Sequence, residues 1–315
     1  MPVEVSVIVP THNRLEILPE VLAALDAQID APEFELLVVD DGSNDGTADW
    51  LERWLARRVA KHPARTLSQS NAGPAAARNS AVQVAAGRWV AFTGDDTVPA
   101  PGWLAAHRAA LQSRGDLANL GVLGYSAWHS RMRLNPFLRY INEHGLQFGY
   151  ALIQEPERVP FNFFYTSNLV VPKDLLLREP FDLGFPYPAW EDIEVGYRLE
   201  KQGFRMVYEP RAVVQHFHPT DLERFASRQE KAGYSAVQFY RLHPELGGFL
   251  GLGPKGPPPI PSLRRQGRRE KLVRALQNWP VSLPRLWEET LRFHYIRGLH
   301  RGWRDSQEEI LREAG

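Results

Sequence analysis

FELLVVDDGSNDGT, residues 34–47, runs from an apolar segment straight into two carboxylates and a glycine-containing turn. Phe34 to Asp40 has the length and near-continuous apolar character of a strand buried on both faces. Asp41-Gly42-Ser43-Asn44 carries turn residues, and a helical pattern follows from Gly46 to Arg58. The same alternation surrounds it. Val5-Ser6-Val7-Ile8-Val9-Pro10 reads as a strand closed by proline, and Leu15 to Asp26 places leucines and alanines at helical spacing. A third strand is expected at Arg65 to Leu67, an alanine-rich helix at Gly73 to Ala86, and a fourth strand at Trp89 to Thr93. Apolar strands alternating with helices predict a parallel sheet covered on both faces, with ligands beyond the carboxyl ends of the strands. The polar residues gather there: Thr11 and Asn13 after the first strand, Asp40 and Asp41 after the second, Asp95 and Asp96 after the fourth.

Composition narrows the class. The 315 residues are 43% hydrophobic and 23% charged, the balance of a globular chain with an ample core. Lys plus Arg and Asp plus Glu both number 37, so net charge points to no polyanionic partner, and no nucleic acid is expected. The absence of cysteine excludes disulfides, thiolate nucleophiles and Cys-type zinc sites. Met1 to Pro10 lacks the pattern of a signal peptide, and no run of about 18 apolar residues predicts a membrane span. A cytoplasmic location is the expectation, with the inner face of a membrane as its variant.

Downstream, residues 115–220 are irregular and aromatic. They include one helix from about Asp192 to Gln202 and a strand pair at Met206–Tyr208 and Ala212–Gln215. A helix from Leu222 to Leu242 follows, then GGFLGLGPKGPPPIP at 247–261, a linker or surface strap. From Pro261 to Arg304 there are eleven Lys or Arg against three Glu, with five aromatics interspersed. Such a segment suits an anionic surface or an acidic partner, and residues 1–260 carry net −5 against +5 for the rest. Residues 263–304 thus have two readings, peripheral membrane contact or docking on the chain itself or a second copy. The expected division is 1–115 for a nucleotide-sugar-binding half, 116–245 for an acceptor half, 246–262 for the linker and 263–315 for a helical tail.

Six motifs occur in a fixed order: VSVIVPTHNR (5–14), LLVVDDGSNDGT (36–47), NAGPAAARNSA (71–81), VAFTGDDTVPAPGWL (90–104), WEDIEVGYRL (190–199) and VVQHFHP (213–219). In that order they resemble the family-2 glycosyltransferases of the GT-A fold, over about residues 4–220. The resemblance implies an α/β, Rossmann-like, mostly parallel sheet flanked by helices, here with a helical C-terminal extension. It implies an enzyme of the hexosyltransferase type that transfers sugar from a nucleotide diphosphate, UDP before dTDP or GDP, to a saccharide or lipid-linked acceptor. Pro10, Thr11, Asn13, Asp41, Arg78 and Asp95 would line the nucleotide. Carboxylates accept hydrogen bonds from ring N–H groups or ribose hydroxyls, and arginine suits a diphosphate. Asp40 and Asp41 also have a plainer reading, that of shaping the turn.

Two carboxylates at a strand end can hold Mn²⁺ or Mg²⁺. The family has Asp-x-Asp where this chain has Gly94-Asp95-Asp96, so the metal is assigned to Asp96. His216 and His218 alternate on an extended segment and share a face, and one of them, His216 by preference, would be the remaining ligand. By resemblance Asp192 is the general base and the reaction inverts the anomeric centre. Helical counting turns Asp192 inward with Val195, Gly196 and Leu199, and Glu191 aside with Glu194 and Arg198. Trp190 and Glu191 are candidates for the acceptor, and Trp190 has core filling as its other reading. Two competing functions exist: a nucleotide-sugar-binding protein without turnover, and a nucleotidyltransferase. The latter needs a glycine-rich loop after the first strand, where Pro10 to Arg14 has none.

Overall fold

A computed structural model describes residues 2–260 and 282–313, and the basic stretch from Arg264 to Arg274 lies outside the described residues. The chain divides into two compact units. The first comprises residues 1–132, 152–183 and 191–218; the second comprises 133–151, 184–190 and 219–315. Both are discontinuous, where the sequence suggests contiguous segments, because strands 120–128, 168–172 and 205–216 all join the sheet begun by residues 5–11.

The first unit is a sheet with flanking helices. In chain order it holds β1 (Val5–Thr11), α1 (Leu18–Asp26), β2 (Phe34–Asp41), α2 (Thr47–Arg57), β3 (Ala64–Gln69), α3 (Gly73–Val84) and β4 (Trp89–Thr93). There follow β5 (Thr97–Pro99), α4 (Trp103–Gln112) and β6 (Leu120–Trp128). The strand order is β3-β2-β1-β4-β7-β6-β8-β5, where β7 is Asn168–Pro172 and β8 is Arg205–His216. β3, β2, β1 and β4 are parallel, as are β6 and β8, while β7 and β5 run against their neighbours. The mostly parallel sheet expected from the sequence is therefore present, and its centre is dry: all eight residues of β2 and all five of β4 are buried.

Two local differences have physical causes. α1 starts at Leu18, not Leu15, because the Leu15 N–H donates to Asp45 Oδ2 at 3.1 Å and Pro19 sits in the first turn. The expected strand pair at 206–215 is one strand with a bulge. β6 advances one residue, Gly124 to Tyr125, while β8 advances from Glu209 to Val213. Asn168 staples that bulge: its Nδ2 donates to the carbonyls of Tyr125 (3.0 Å) and Ala212 (2.8 Å). Its Oδ1 lies 2.7 Å from Trp103 Nε1 and 2.9 Å from His107 Nε2.

Only 1% of His107 is exposed. Burial lowers its pKa to about 4, against the smaller opposing effect of the Asn168 hydrogen bond. An unfolded His107 takes up a proton near pH 6.5, whereas the folded one resists until about pH 4. The stability at stake is full above 6.5 and is lost as the pH falls toward 4, amounting to about 3 kcal/mol. Denaturant melts at pH 7.5 and 4.5 are expected to show that loss, and to show less of it in His107→Gln. An equal acid loss in both chains would contradict it.

The second unit holds α5 (Pro136–Glu143), residues 184–190 between α6 and α7 of the first unit (Lys173–Arg178 and Glu191–Lys201), then α8 (Leu222–Leu242), α9 (Gly247–Leu250) and α10 (Pro284–Glu313). Glycines let α8 and α10 cross closely. A Cβ at Gly233 would lie 2.0 Å from the Tyr295 carbonyl, and one at Gly298 would lie 2.0 Å from that of Glu230. Glu230 accepts from Arg301 (2.9 Å), Arg297 (3.3 Å) and His294 (3.3 Å). The described part of the basic tail thus docks on the chain itself. Among the described residues no helix is long and apolar enough to cross a membrane.

Candidate active site

The carboxyl ends of β1, β2, β3 and β4 share one edge of the sheet. Antiparallel β7 starts there, with Asn168 opposite Thr93, and β8 ends there, with His216 opposite Thr97. Thr11, Asp41 and His216 stand at that edge as the last residues of β1, β2 and β8.

The loops at that edge are stitched together. Asn13 has a φ of 54°, donates its N–H to Ser43 Oγ (2.9 Å) and accepts from the Asn44 N–H through Oδ1 (2.8 Å). Gly42 has a φ of 70°, and a Cβ there would lie 2.7 Å from the Asn71 nitrogen, so the turn demands glycine. Asp40 Oδ1 accepts from the Ser43 N–H at 3.1 Å, which is its turn-shaping reading. Asp41 is buried at 4% exposure. Its Oδ1 accepts from Gln69 Nε2 (2.8 Å) and the Ala72 N–H (2.9 Å), and its Oδ2 accepts from the Gly73 N–H (2.8 Å). Asp41 thus braces the start of α3, whose dipole favours an anion there. A carboxylate has about four acceptor positions, so room for one more donor remains. Pro10 and Thr11 close β1 opposite Val39 and Asp40.

Beyond β4, Gly94 opens a turn held by its N–H to Thr97 Oγ1 (2.7 Å). A Cβ at position 94 would stand 3.0 Å from Asp96 Oδ1, so a side chain there would crowd Asp96. Asp96 Oδ2 lies 3.5 Å from His216 Nε2 and 3.4 Å from His218 Nδ1. The two rings stack at 5.3 Å between centroids and 6° between planes. One ligand atom from each of Asp96, His216 and His218 lies within 4.8 Å of the others. The sequence asks for one histidine, and the structure brings both. One carboxylate and two imidazoles fit a first-row divalent ion, and Mn²⁺ better than the oxygen-preferring Mg²⁺.

Asp95 Oδ2 accepts from the His12 N–H at 3.3 Å. Burial, and then the charge of Asp96, push its pKa up to about 7. Burial acts to raise Asp96 as well, but His216, His218 and Arg14 override it and hold that carboxyl far below the usual range. Arg14 was not among the candidates from sequence. Its Nε is 3.9 Å from Asp95 and its Nη2 3.8 Å from Asp96. The only sign of it in the sequence is its place at the end of the first motif.

At the start of α7, Asp192 Oδ2 lies 3.4 Å from both the N–H and the Oγ1 of Thr166, and its Oδ1 accepts from the Ile193 N–H at 2.9 Å. The face expected inward is buried at Val195, Gly196 and Leu199, but the expectation that Glu191 turns aside needs correction. Glu191 is the buried one, at 6% exposure, and Asp192 is half-buried. The polar face buries because each glutamate has an arginine: Arg78 Nη1 donates to Glu191 at 3.2 Å, and Arg198 Nε to Glu194 at 2.8 Å. Burial raises the pKa of both Glu191 and Asp192, with Arg78 opposing. Arg78, expected at the nucleotide, is paired with Glu191 and lies 5.5 Å from the centre of the Phe181 ring. Trp190, in the second unit, donates its indole N–H to the Ala232 carbonyl (2.8 Å) and packs on Phe239 and Phe249. That is its core-filling reading.

A family model described as glycosyl transferase family 2 matches residues 6–170. The chain is 28% identical over 271 residues to validoxylamine A glucosyltransferase of Streptomyces hygroscopicus subsp. limoneus, covering 76% of this chain and 57% of that protein. It is 26% identical over 247 residues to the pre-mycofactocin glycosyltransferase of Mycobacterium tuberculosis, covering 77% and 48%. With Escherichia coli chondroitin synthase it shares 25% over 250 residues, 71% of this chain and 36% of that one. The chain therefore spans between a third and three fifths of the length of these relatives. Among solved structures, the fold is similar to a mannosyltransferase from Pyrobaculum calidifontis in complex with GDP-Man and Mn²⁺ (TM-score 0.63, 19% identity, 97% of this chain and 90% of that one). It is also similar to TarS of S. aureus in complex with UDP (TM-score 0.52, 18% identity, 96% and 92%).

Proposed function

The chain belongs to glycosyl transferase family 2, and from that premise we propose that it transfers a sugar from a nucleotide-diphosphate donor to an acceptor hydroxyl with inversion. The observation that carries this reading is the clustering of Asp96, His216 and His218 at the sheet edge where the strand-end loops are stitched together.

Asp96, His216 and His218 would hold a divalent ion, which supplies positive charge against the departing diphosphate. The stitched turns at 11–14 and 41–44 offer backbone and side-chain groups to the nucleoside. Arg14 faces Asp95 and Asp96 with a side chain 40% exposed, free enough to turn toward a phosphate. Asp192 accepts the proton of the acceptor hydroxyl as that oxygen bonds the anomeric carbon and the bond to the diphosphate breaks. The Thr166 hydroxyl and N–H orient that carboxylate. A single base and direct displacement account for inversion. Solved proteins of this fold hold GDP-Man in one case and UDP in another, so both bases belong in the test, with UDP expected.

The test is a thermal-shift panel of UDP, GDP, dTDP and CDP, each with Mn²⁺, Mg²⁺ or EDTA. A ligand at 100 times its Kd stabilises the folded chain by about 2.7 kcal/mol. UDP with Mn²⁺ is expected to raise the melting temperature and EDTA to abolish the shift. No shift with any nucleotide would sink the reading.

A further inference from the structure

We infer that Arg78 and Glu191 form a positioning pair for Asp192, and that Arg78 is not a ligand of the donor. The inference rests on the glycosyltransferase reading and deepens it. Arg78 reaches Glu191 from α3 across 113 residues of sequence, with side-chain exposures of 12% and 8%. Taking two charges out of water is unfavourable unless every lone pair and proton finds a partner. Here they do not: among the described residues, Glu191 Oε2 and Arg78 Nε are buried without a hydrogen-bond partner. A half-satisfied buried pair is a poor way to stabilise a fold, since an apolar pair of similar volume does better. What distinguishes this one is its neighbour, because Glu191 immediately precedes Asp192 at the first turn of α7.

Among the described residues, Arg78 is the cation paired with Glu191, and the neutral Thr166, from the segment before β7, is the group that meets Asp192. About two turns along α7, Arg198 is engaged by Glu194 and by Glu179. Two carboxylates and one guanidinium give the site a net charge of −1. Without Arg78 it would be −2, and one carboxyl would take up a proton, disabling the base. Without the Glu191 charge, Arg78 would act on Asp192 alone and weaken it as a base. The two single changes therefore move the pH dependence in opposite directions, and removing both returns the charge to −1.

The experiment compares wild type, Arg78→Met, Arg78→Lys, Glu191→Gln and the Met/Gln double variant. Calorimetry with UDP and GDP in Mn²⁺ gives nucleotide affinity, and release of nucleoside diphosphate from UDP-glucose and GDP-mannose gives kcat against pH. Arg78→Met is expected to keep nucleotide affinity within about threefold, to lose roughly tenfold or more in kcat, and to shift the acid limb up by about one pH unit. Glu191→Gln is expected to shift that limb down by about as much, and Arg78→Lys to recover part of the loss. The double variant should return the limb toward wild type, a readout that a merely structural pair would not give. A tenfold or greater loss of nucleotide affinity in Arg78→Met with an unmoved limb would make Arg78 a donor ligand and overturn the inference alone. A folded wild type that neither binds nor turns over any nucleotide would overturn the glycosyltransferase reading itself.

Discussion

An Asp192→Asn chain is expected to keep its nucleotide affinity and to lose roughly 10²- to 10⁴-fold in transfer rate, the range a positioned general base supplies. The substitution is nearly isosteric. The amide oxygen can still accept from the Thr166 N–H and hydroxyl, so the start of α7 should remain in place. What the amide cannot do is take a proton from an acceptor hydroxyl. Because burial raises the pKa of Asp192, the acid limb of the wild-type rate should lie above the ordinary carboxylate range. The sign follows: as pH falls through that raised value the carboxyl protonates and the rate declines. Steady-state release of nucleoside diphosphate checks both points. Full turnover by the asparagine variant would move the base elsewhere, whatever the family.

Asp96→Asn should weaken Mn²⁺ binding by at least the 10–100-fold that losing even an outer-sphere partner causes. Asp96 is the anion common to both histidines, so its loss removes a ligand and the charge that gathers the others. The joint change His216→Ala with His218→Ala should have a different signature. It leaves Asp95 and Asp96, an oxygen-only pair, and should erase the advantage of Mn²⁺ over Mg²⁺. Calorimetric titration of each ion without nucleotide reads this directly and needs no substrate. Mn²⁺ affinity unchanged in both variants would refute the assignment.

The parts of the fold that the sequence discloses are those with a local signature. β1, β2 and β4 are apolar runs ending in polar residues, and α8 is bounded by its periodicity at Leu222 and Leu242. β5 and β7 lack such a signature for separate reasons. Three residues, Thr97–Pro99, carry no periodicity, and Asn168–Pro172 is a five-residue strand whose place depends on pairing with β4. In the site, strand alternation correctly put His216 and His218 on one face. The rule that polar helix faces point outward failed at Glu191, because the cation that permits its burial lies far away in sequence. No pattern within 190–199 announces Arg78.

The stitching of the loops has a consequence for anyone who would re-engineer the chain. Asn13 is held by Ser43 and Asn44, and Leu15 by Asp45, so the turns after β1 and β2 behave as one fabric rather than two threads. A graft of the 41–47 turn from a relative would tear those seams unless residues 12–15 travelled with it. Exchanges at this edge are thus transplants of a paired cassette, and a library that varies one turn alone would explore mostly broken chains.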